Sequence, residues 1–375
     1  MSLELSERVK IAYKKLKASV YFDKTQLPLR DQLIVYESQD IESHLETLVQ
    51  NLTGSDHDWN TFIDQILSGV SILVYPKKLQ EGPENTVILN SSSTPIRMEK
   101  PQFFIDLPVD GHVLGVLWVL SVGRMLDKNC EDDSEGMYEH SYGNRLKKNL
   151  VNPESGDITY SPHLFEPYFS QYESWRDHGL ERAKERLNDK QDAVILTLDF
   201  KSFYYSVDML ETDFENFSKS YNRSELWIQR VNYFVYRVLR QYSDMIRPIC
   251  SGTELSIADR TILPIGFLPS NILSNWVLTS FDNAVIKQWN PVYYGRYVDD
   301  IIIVDKVEKN SPLYKRARNK DETQQLTSDD VIELFLQKCE RPVLQIYEKE
   351  TCKKEKDDDI TYEITGDTSS TIDDI

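Results

Sequence analysis

The sequence predicts an α+β fold with an antiparallel sheet, and three stretches carry that expectation. Residues 193–199 run as apolar and β-branched side chains and end on Asp199, the pattern of a buried strand. Residues 293–304 have the form of a β-hairpin: aromatic side chains lead into Tyr297-Val298-Asp299-Asp300, and an Ile/Val run follows. Asp tolerates turn geometry, so Asp299 and Asp300 mark the reversal. Residues 263–282 join a Pro/Gly loop to a helix with small and apolar residues on one face, and Ser270 is its expected cap.

Two adjacent carboxylates at the tip of an apolar hairpin repel each other unless a cation sits between them. A solvated turn is the plain alternative. The strand ending on Asp199 shifts the balance. Two strands of one sheet that both end in carboxylates can chelate two Mg²⁺ ions, which prefer hard oxygen ligands and keep part of their water shell. Two such ions suit an in-line phosphoryl displacement.

The remaining elements follow in order. Residues 1–54 predict two helices with a link, the first from the spacing of Val9, Ala12, Tyr13 and Leu16 and the second ending near Leu52. Residues 59–70 continue as helix, 72–75 as a short strand, and 80–95 as polar loop. A strand at 103–107 ends at Pro108, and a long apolar helix covers 110–127. A polar loop leads to Ser141-Tyr142-Gly143-Asn144-Arg145, and a helix begins near Leu164 and runs to Leu187 with Phe169, Tyr172, Trp175 and Leu180 as its apolar stripe. Residues 209–250 are helical in pattern, most strongly over 226–242, and 250–259 form a loop. After Asp305 come a polar linker, a helix over 328–338, a strand over 343–347, and an Asp/Ser/Thr-rich tail over 351–375 expected to be disordered.

The chain has 375 residues, 40% of them hydrophobic, enough for a large core and more than one compact unit. No stretch of about 18 uncharged apolar residues occurs, so neither a transmembrane helix nor a membrane partner is expected. The four cysteines lack zinc-site spacing, and none of the six histidines has a His or Cys at i+3 or i+4. Reduced thiols and a cytoplasmic location are expected. The net charge of −18 is unusual for a protein that handles nucleic acid. The Arg/Lys groups at 124–128, 145–148 and 182–190 are the candidates for a local basic groove, and a basic partner protein or a very short nucleic acid are other ways out.

In this order the three opening blocks resemble motifs A, B and C of a reverse transcriptase palm, with Tyr297-Val298-Asp299-Asp300 as the YxDD box and Asp199 as the motif A aspartate. The resemblance covers residues 96–348 and extends loosely to the N-terminal helices. It is nearest to the unknown-group and abortive-infection reverse transcriptases of bacterial antiviral defence. It implies a right-hand polymerase with an N-terminal helical extension (1–95), fingers (96–190), a palm (191–350) and the acidic tail (351–375), with no thumb evident. It implies Asp199, Asp299 and Asp300 as catalytic and metal-binding, with the Phe200 carbonyl as a further ligand for two Mg²⁺ ions or Mn²⁺ in their place. Arg145, Arg97, Tyr204, Gly266, Ser270 and Asn275 are implied in nucleotide binding, Arg145 at the triphosphate and Tyr204 as an aromatic block to a 2′-OH. Motif B departs from the family at Ile265, where glutamine is usual, and at Asn271, where proline is usual.

The implied activity is RNA-directed DNA synthesis from dNTPs on a template and primer, within a defence system and in an oligomer or complex with a non-coding RNA or a partner protein. Three alternatives stand beside it: a template-independent or protein-primed DNA nucleotidyltransferase on the same palm, a non-catalytic scaffold, and a maturase or retron polymerase.

Overall fold

A computed structural model describes residues 4–22, 26–79, 98–127, 140–147, 150–151, 158–159, 161, 163–220, 225–251, 257–318, 344–346 and 362–364. The principal helices are α1 (Leu5–Phe22), α2 (Leu27–Glu37), α3 (Ile41–Thr53), α4 (Asp56–Ser68), α5 (Val109–Trp118), α6 (Tyr168–Asn188), α7 (Glu211–Ser220), α8 (Leu226–Cys250), α9 (Leu268–Val277) and α10 (Thr279–Ala284). The principal strands are β1 (Ser71–Leu79), β2 (Met98–Asp106), β3 (Ala193–Asp199), β4 (Tyr293–Tyr297) and β5 (Asp300–Lys306).

The chain divides into two compact units, each built from separated segments: 1–122 with 211–270, and 123–210 with 271–375. Both units combine segments from either side of the expected fingers and palm stretches. Packing between segments far apart in sequence decides the division, and composition along the chain does not report that packing.

The first unit is mainly helical. The second helix expected, ending near Leu52, is broken at 38–40 into α2 and α3. Ser38 Oγ donates to the Val35 carbonyl at 2.6 Å, and the Asp40 carboxylate caps α3 by accepting from the Ser43 N–H at 3.3 Å. Val113, Leu114 and Trp118 of α5 are buried, as are Val231, Phe234, Val238 and Leu239 of α8. Trp118 Nε1 donates to Asn232 at 2.8 Å within that core. The β1–β2 hairpin is longer than the two short strands expected, with Ser71 opposite Asp106 and Leu79 opposite Met98. Residues 109–126 meet the length and hydropathy of a membrane span, but 72% of that stretch is buried inside the fold, as in a core helix. It is not one regular helix, because residues 119–123 are wound as π-helix.

The second unit is organised on a three-stranded antiparallel sheet in the order β3–β5–β4. Ile301, Ile302, Ile303 and Val304 of the central strand are all buried, which is why that strand reads as a continuous apolar run. α6 covers one face: Trp175 and Ala183 pack with Tyr297, Ile302 and Val304. Beyond this core, Leu344–Ile346 pairs with Tyr362–Ile364. Part of the tail expected to be disordered therefore forms a strand. Arg97 and the helix expected over 328–338 lie outside the described residues.

Candidate active site

The register of the sheet brings the carboxylates together. In an antiparallel pair, directly opposite residues share a face. Asp199 at the end of β3 lies opposite Asp300 at the start of β5, and Asp300 lies opposite Tyr297 at the end of β4. Asp199, Asp300 and Tyr297 thus form one cross-strand row. Asp199 is exposed, and Asp299 and Asp300 are half-buried. The Phe200 N–H donates to the Asp299 carbonyl at 3.4 Å, so the end of β3 is tied directly to the turn. The turn is strained: Val298 has φ 59°, a left-handed conformation that costs a β-branched residue on the order of 1–3 kcal/mol.

A buried polar network lies behind the turn. Arg296 is fully buried. Its Nε and Nη2 donate to the two oxygens of Asp282 at 2.8 and 2.7 Å, and its Nη1 donates to the Val298 carbonyl at 2.8 Å and to Asn275 Oδ1 at 3.0 Å. Burial works against the Arg296 charge, but Asp282 outweighs it and holds the guanidinium protonated. Tyr294 donates to the same carboxylate, and burial followed by the Asp282 charge pushes its pKa well up. Asn275 donates to the Gly143 carbonyl at 2.8 Å and accepts from Ser141 Oγ at 3.1 Å. This binds the Ser141–Gly143 loop to the hairpin. Gly143 fits there because it has no side chain: a Cβ would lie 2.7 Å from Val298 Cγ2.

Tyr204 is partly buried beside the turn, with its hydroxyl 3.5 Å from Asn271 Oδ1. Its pKa is pushed up to about 12, first by burial, with the Asp299 charge adding and hydrogen bonds to Ser274 and Asn144 opposing. Its ring therefore stays neutral at any ordinary pH. Arg145, expected at the triphosphate, is buried: its Nε donates to Asp127 at 2.7 Å and its Nη1 to the Ser141 carbonyl at 2.9 Å. A buried carboxylate outcompetes solvent for the guanidinium fork. Asn275, expected at the nucleotide, spends its side-chain amide on the internal network. Of the expected basic groove, Arg145 is thus internal, and Arg182 is paired with Glu185 at 2.9 Å.

In the other unit, Gly266 holds φ 92°, a conformation suited to glycine, and the neighbouring Ile265 carbonyl accepts from the Ile105 N–H at 2.9 Å. Ser270 does not cap its helix, which begins at Leu268. It is buried, and its Oγ has no hydrogen-bond partner among the described residues.

Arg296, Asp282 and Asp127 were not singled out from sequence. Arg296 did leave a signal, because a charged residue inside an otherwise aromatic and apolar strand must find a buried partner. Asp282, an acid closing an apolar helix, was the matching signal. Asp127 left none.

The oxygen donors at the strand ends suit a hard divalent cation. Among the described residues, however, no three His, Cys, Asp or Glu side chains already converge as a ready-made metal site.

No curated protein matches the chain. The reverse transcriptase (RNA-dependent DNA polymerase) family profile matches residues 124–353, which include Asp199, the Asn271–Val277 helix segment and the Tyr297–Asp300 turn. With more than half its length matched, and with its carboxylates aligned across one antiparallel sheet, the chain belongs to the reverse transcriptase family and is an RNA-directed DNA polymerase.

Proposed function

We propose that this polymerase extends a primer 3′-hydroxyl with dNTPs at the Asp199/Asp299/Asp300 cluster. The observation that carries this reading is the pairing of Asp199 with Asp300 beside the strained turn. Reverse transcriptase domains bind template–primer nucleic acid and dNTPs and use divalent ions such as Mg²⁺. Asp199, Asp299, Asp300 and the Phe200 carbonyl are the groups that would hold two such ions. When bound, the ions supply a lowered pKa at the attacking hydroxyl and neutralise charge on the triphosphate. Tyr204 places a rigid neutral ring beside the carboxylates, where it would exclude a sugar bearing a 2′-OH. The strand hairpin carrying the carboxylates corresponds to a palm, and the segment before it to fingers. The resemblance to defence-associated reverse transcriptases, which share altered motif B loops such as Ile265 and Asn271, supports an antiviral role in complex with RNA or a partner protein, and the widely spaced cysteines support a cytoplasmic location.

The test is dNTP incorporation by the purified protein with Mg²⁺, with and without nuclease treatment, against Asp299→Ala/Asp300→Ala. The variant should lose roughly 10³-fold or more of the rate, because several kcal/mol of transition-state charge stabilisation disappears. Nuclease treatment should abolish incorporation until template and primer are restored. Nuclease-resistant incorporation that the variant still loses would replace templated synthesis with untemplated or protein-primed transfer. Full activity in the variant would remove the cluster from catalysis.

A further inference from the structure

We propose that Arg296 is the positioning residue that sets the shape of the Tyr297–Asp300 turn, acting as a buried strut between Asp282, Asn275 and the Val298 carbonyl. This rests on the reading of Asp299 as a catalytic carboxylate.

A fully buried guanidinium is a costly way to fill space, and packing alone is served as well by an apolar side chain. Here the geometry uses what distinguishes arginine. One edge of the fork is spent on both oxygens of Asp282, and Nη1 is left to reach Val298 and Asn275. A lysine can neutralise Asp282, but it has no rigid fork to span all three partners. The Val298 carbonyl belongs to the peptide plane whose nitrogen is that of Asp299. Fixing that carbonyl fixes the plane from which Asp299 departs.

Fixing it is necessary because Val298 at φ 59° leaves that conformation unless it is held. Arg296 also acts through its backbone. Its backbone N–H donates to the His140 carbonyl at 2.7 Å, and its carbonyl accepts from the Tyr142 N–H at 2.8 Å. Those bonds seat the loop whose Gly143 presses against Val298. The side chain and the backbone of one residue therefore both bear on the turn.

The experiment compares the full chain with Arg296→Lys, Val298→Gly, the two combined, and Asp299→Ala, reading kcat, KM for dNTP, the Mg²⁺ concentration for half-maximal rate, and thermal unfolding. Arg296→Lys should lower kcat per folded molecule by roughly 10- to 100-fold, the loss expected for a catalytic group misplaced by about 1 Å. KM for dNTP should stay within about twofold on the same argument, because a displaced turn disturbs the reacting geometry more than ground-state binding. The half-maximal Mg²⁺ concentration should rise. Val298→Gly in the Arg296→Lys background should recover much of the lost kcat, because glycine adopts positive φ without being held.

Wild-type kcat per folded molecule in Arg296→Lys, or a loss that Val298→Gly leaves unchanged, would overturn the proposal. If Arg296→Lys does not fold, Asp282→Asn/Arg296→Met removes the buried charges together and leaves no side-chain donor at 296 for the Val298 carbonyl. The same kcat loss supports the strut, and wild-type kcat overturns it. Retained activity in Asp299→Ala would instead sink the catalytic reading on which the proposal rests.

Discussion

His112 is buried within the first unit, edge-on to Phe267, and burial alone pushes its pKa down to about 4. In the unfolded chain the same imidazole titrates near 6.5. Below that value the unfolded state binds a proton that the native state refuses, so stability is fully present above pH 6.5 and falls as pH drops towards 4. The loss amounts to about 3 kcal/mol for this group. Urea midpoints measured between pH 7 and pH 4.5 should fall, and His112→Leu should flatten part of that fall. An identical acid slope in the variant would assign the loss elsewhere. Nothing in the spacing of the histidines distinguished His112 from the others, because burial of a lone imidazole depends on what packs over it. Asp299 and Asp300 were legible for the opposite reason: their neighbours in sequence form the hairpin that displays them.

Among the elements, the contact between α6 and the sheet depends on Gly179. A Cβ there would lie 3.0 Å from Ile302 Cγ2 and 3.2 Å from Tyr293 Cε1. The helix therefore approaches β4 and β5 so closely that a side chain fits only if its neighbours give by a few tenths of an ångström. Gly179→Val should lift the helix off the sheet and destabilise the protein by roughly 1–3 kcal/mol, the usual effect of overpacking. The same contact seats Trp175, whose Nε1 donates to the Gly295 carbonyl at 2.9 Å. A lower melting temperature with unchanged helical content would be the signature. An unchanged melting temperature would show that the helix has room to shift. Element types were read well from periodicity, as in β3, the hairpin and α8. The breaks were read less well. Asp40 ends a continuous apolar pattern through one side-chain cap, and Pro248 lies inside α8 near its end without interrupting it.

Across the whole molecule, tyrosines in both units are held protonated. Burial is the first cause of a raised pKa at Tyr13, Tyr36, Tyr204, Tyr293, Tyr294 and Tyr297, with neighbouring acids or tyrosines adding at each. An unfolded tyrosine loses its proton near pH 10. Above that pH the native state holds protons that the unfolded chain has released, so stability present below pH 10 is lost as pH rises. Denaturation midpoints should be clearly lower at pH 10.5 than at pH 8. The net charge of −18 adds self-repulsion in the same direction. Repeating the series in 0.5 M salt, as a rough screening condition, separates the two: salt suppresses the repulsion but not the tyrosine loss. Equal midpoints at both pH values in high salt would refute the tyrosine contribution.

By itself, the sequence determined the α+β class, the order of the strand, loop–helix and hairpin blocks, and the chemistry of carboxylates displayed at strand ends. Those properties depend on propensity, periodicity and turn residues, which act over neighbours along the chain. Only the tertiary structure decided that Asp199 lies opposite Asp300, that Arg145 pairs with Asp127, and that Arg296 joins Asp282, Asn275 and Val298. Each of those outcomes is a choice of partner between segments separated in sequence. Sheet register and the pairing of buried charges make that choice, and neither is encoded in any local stretch.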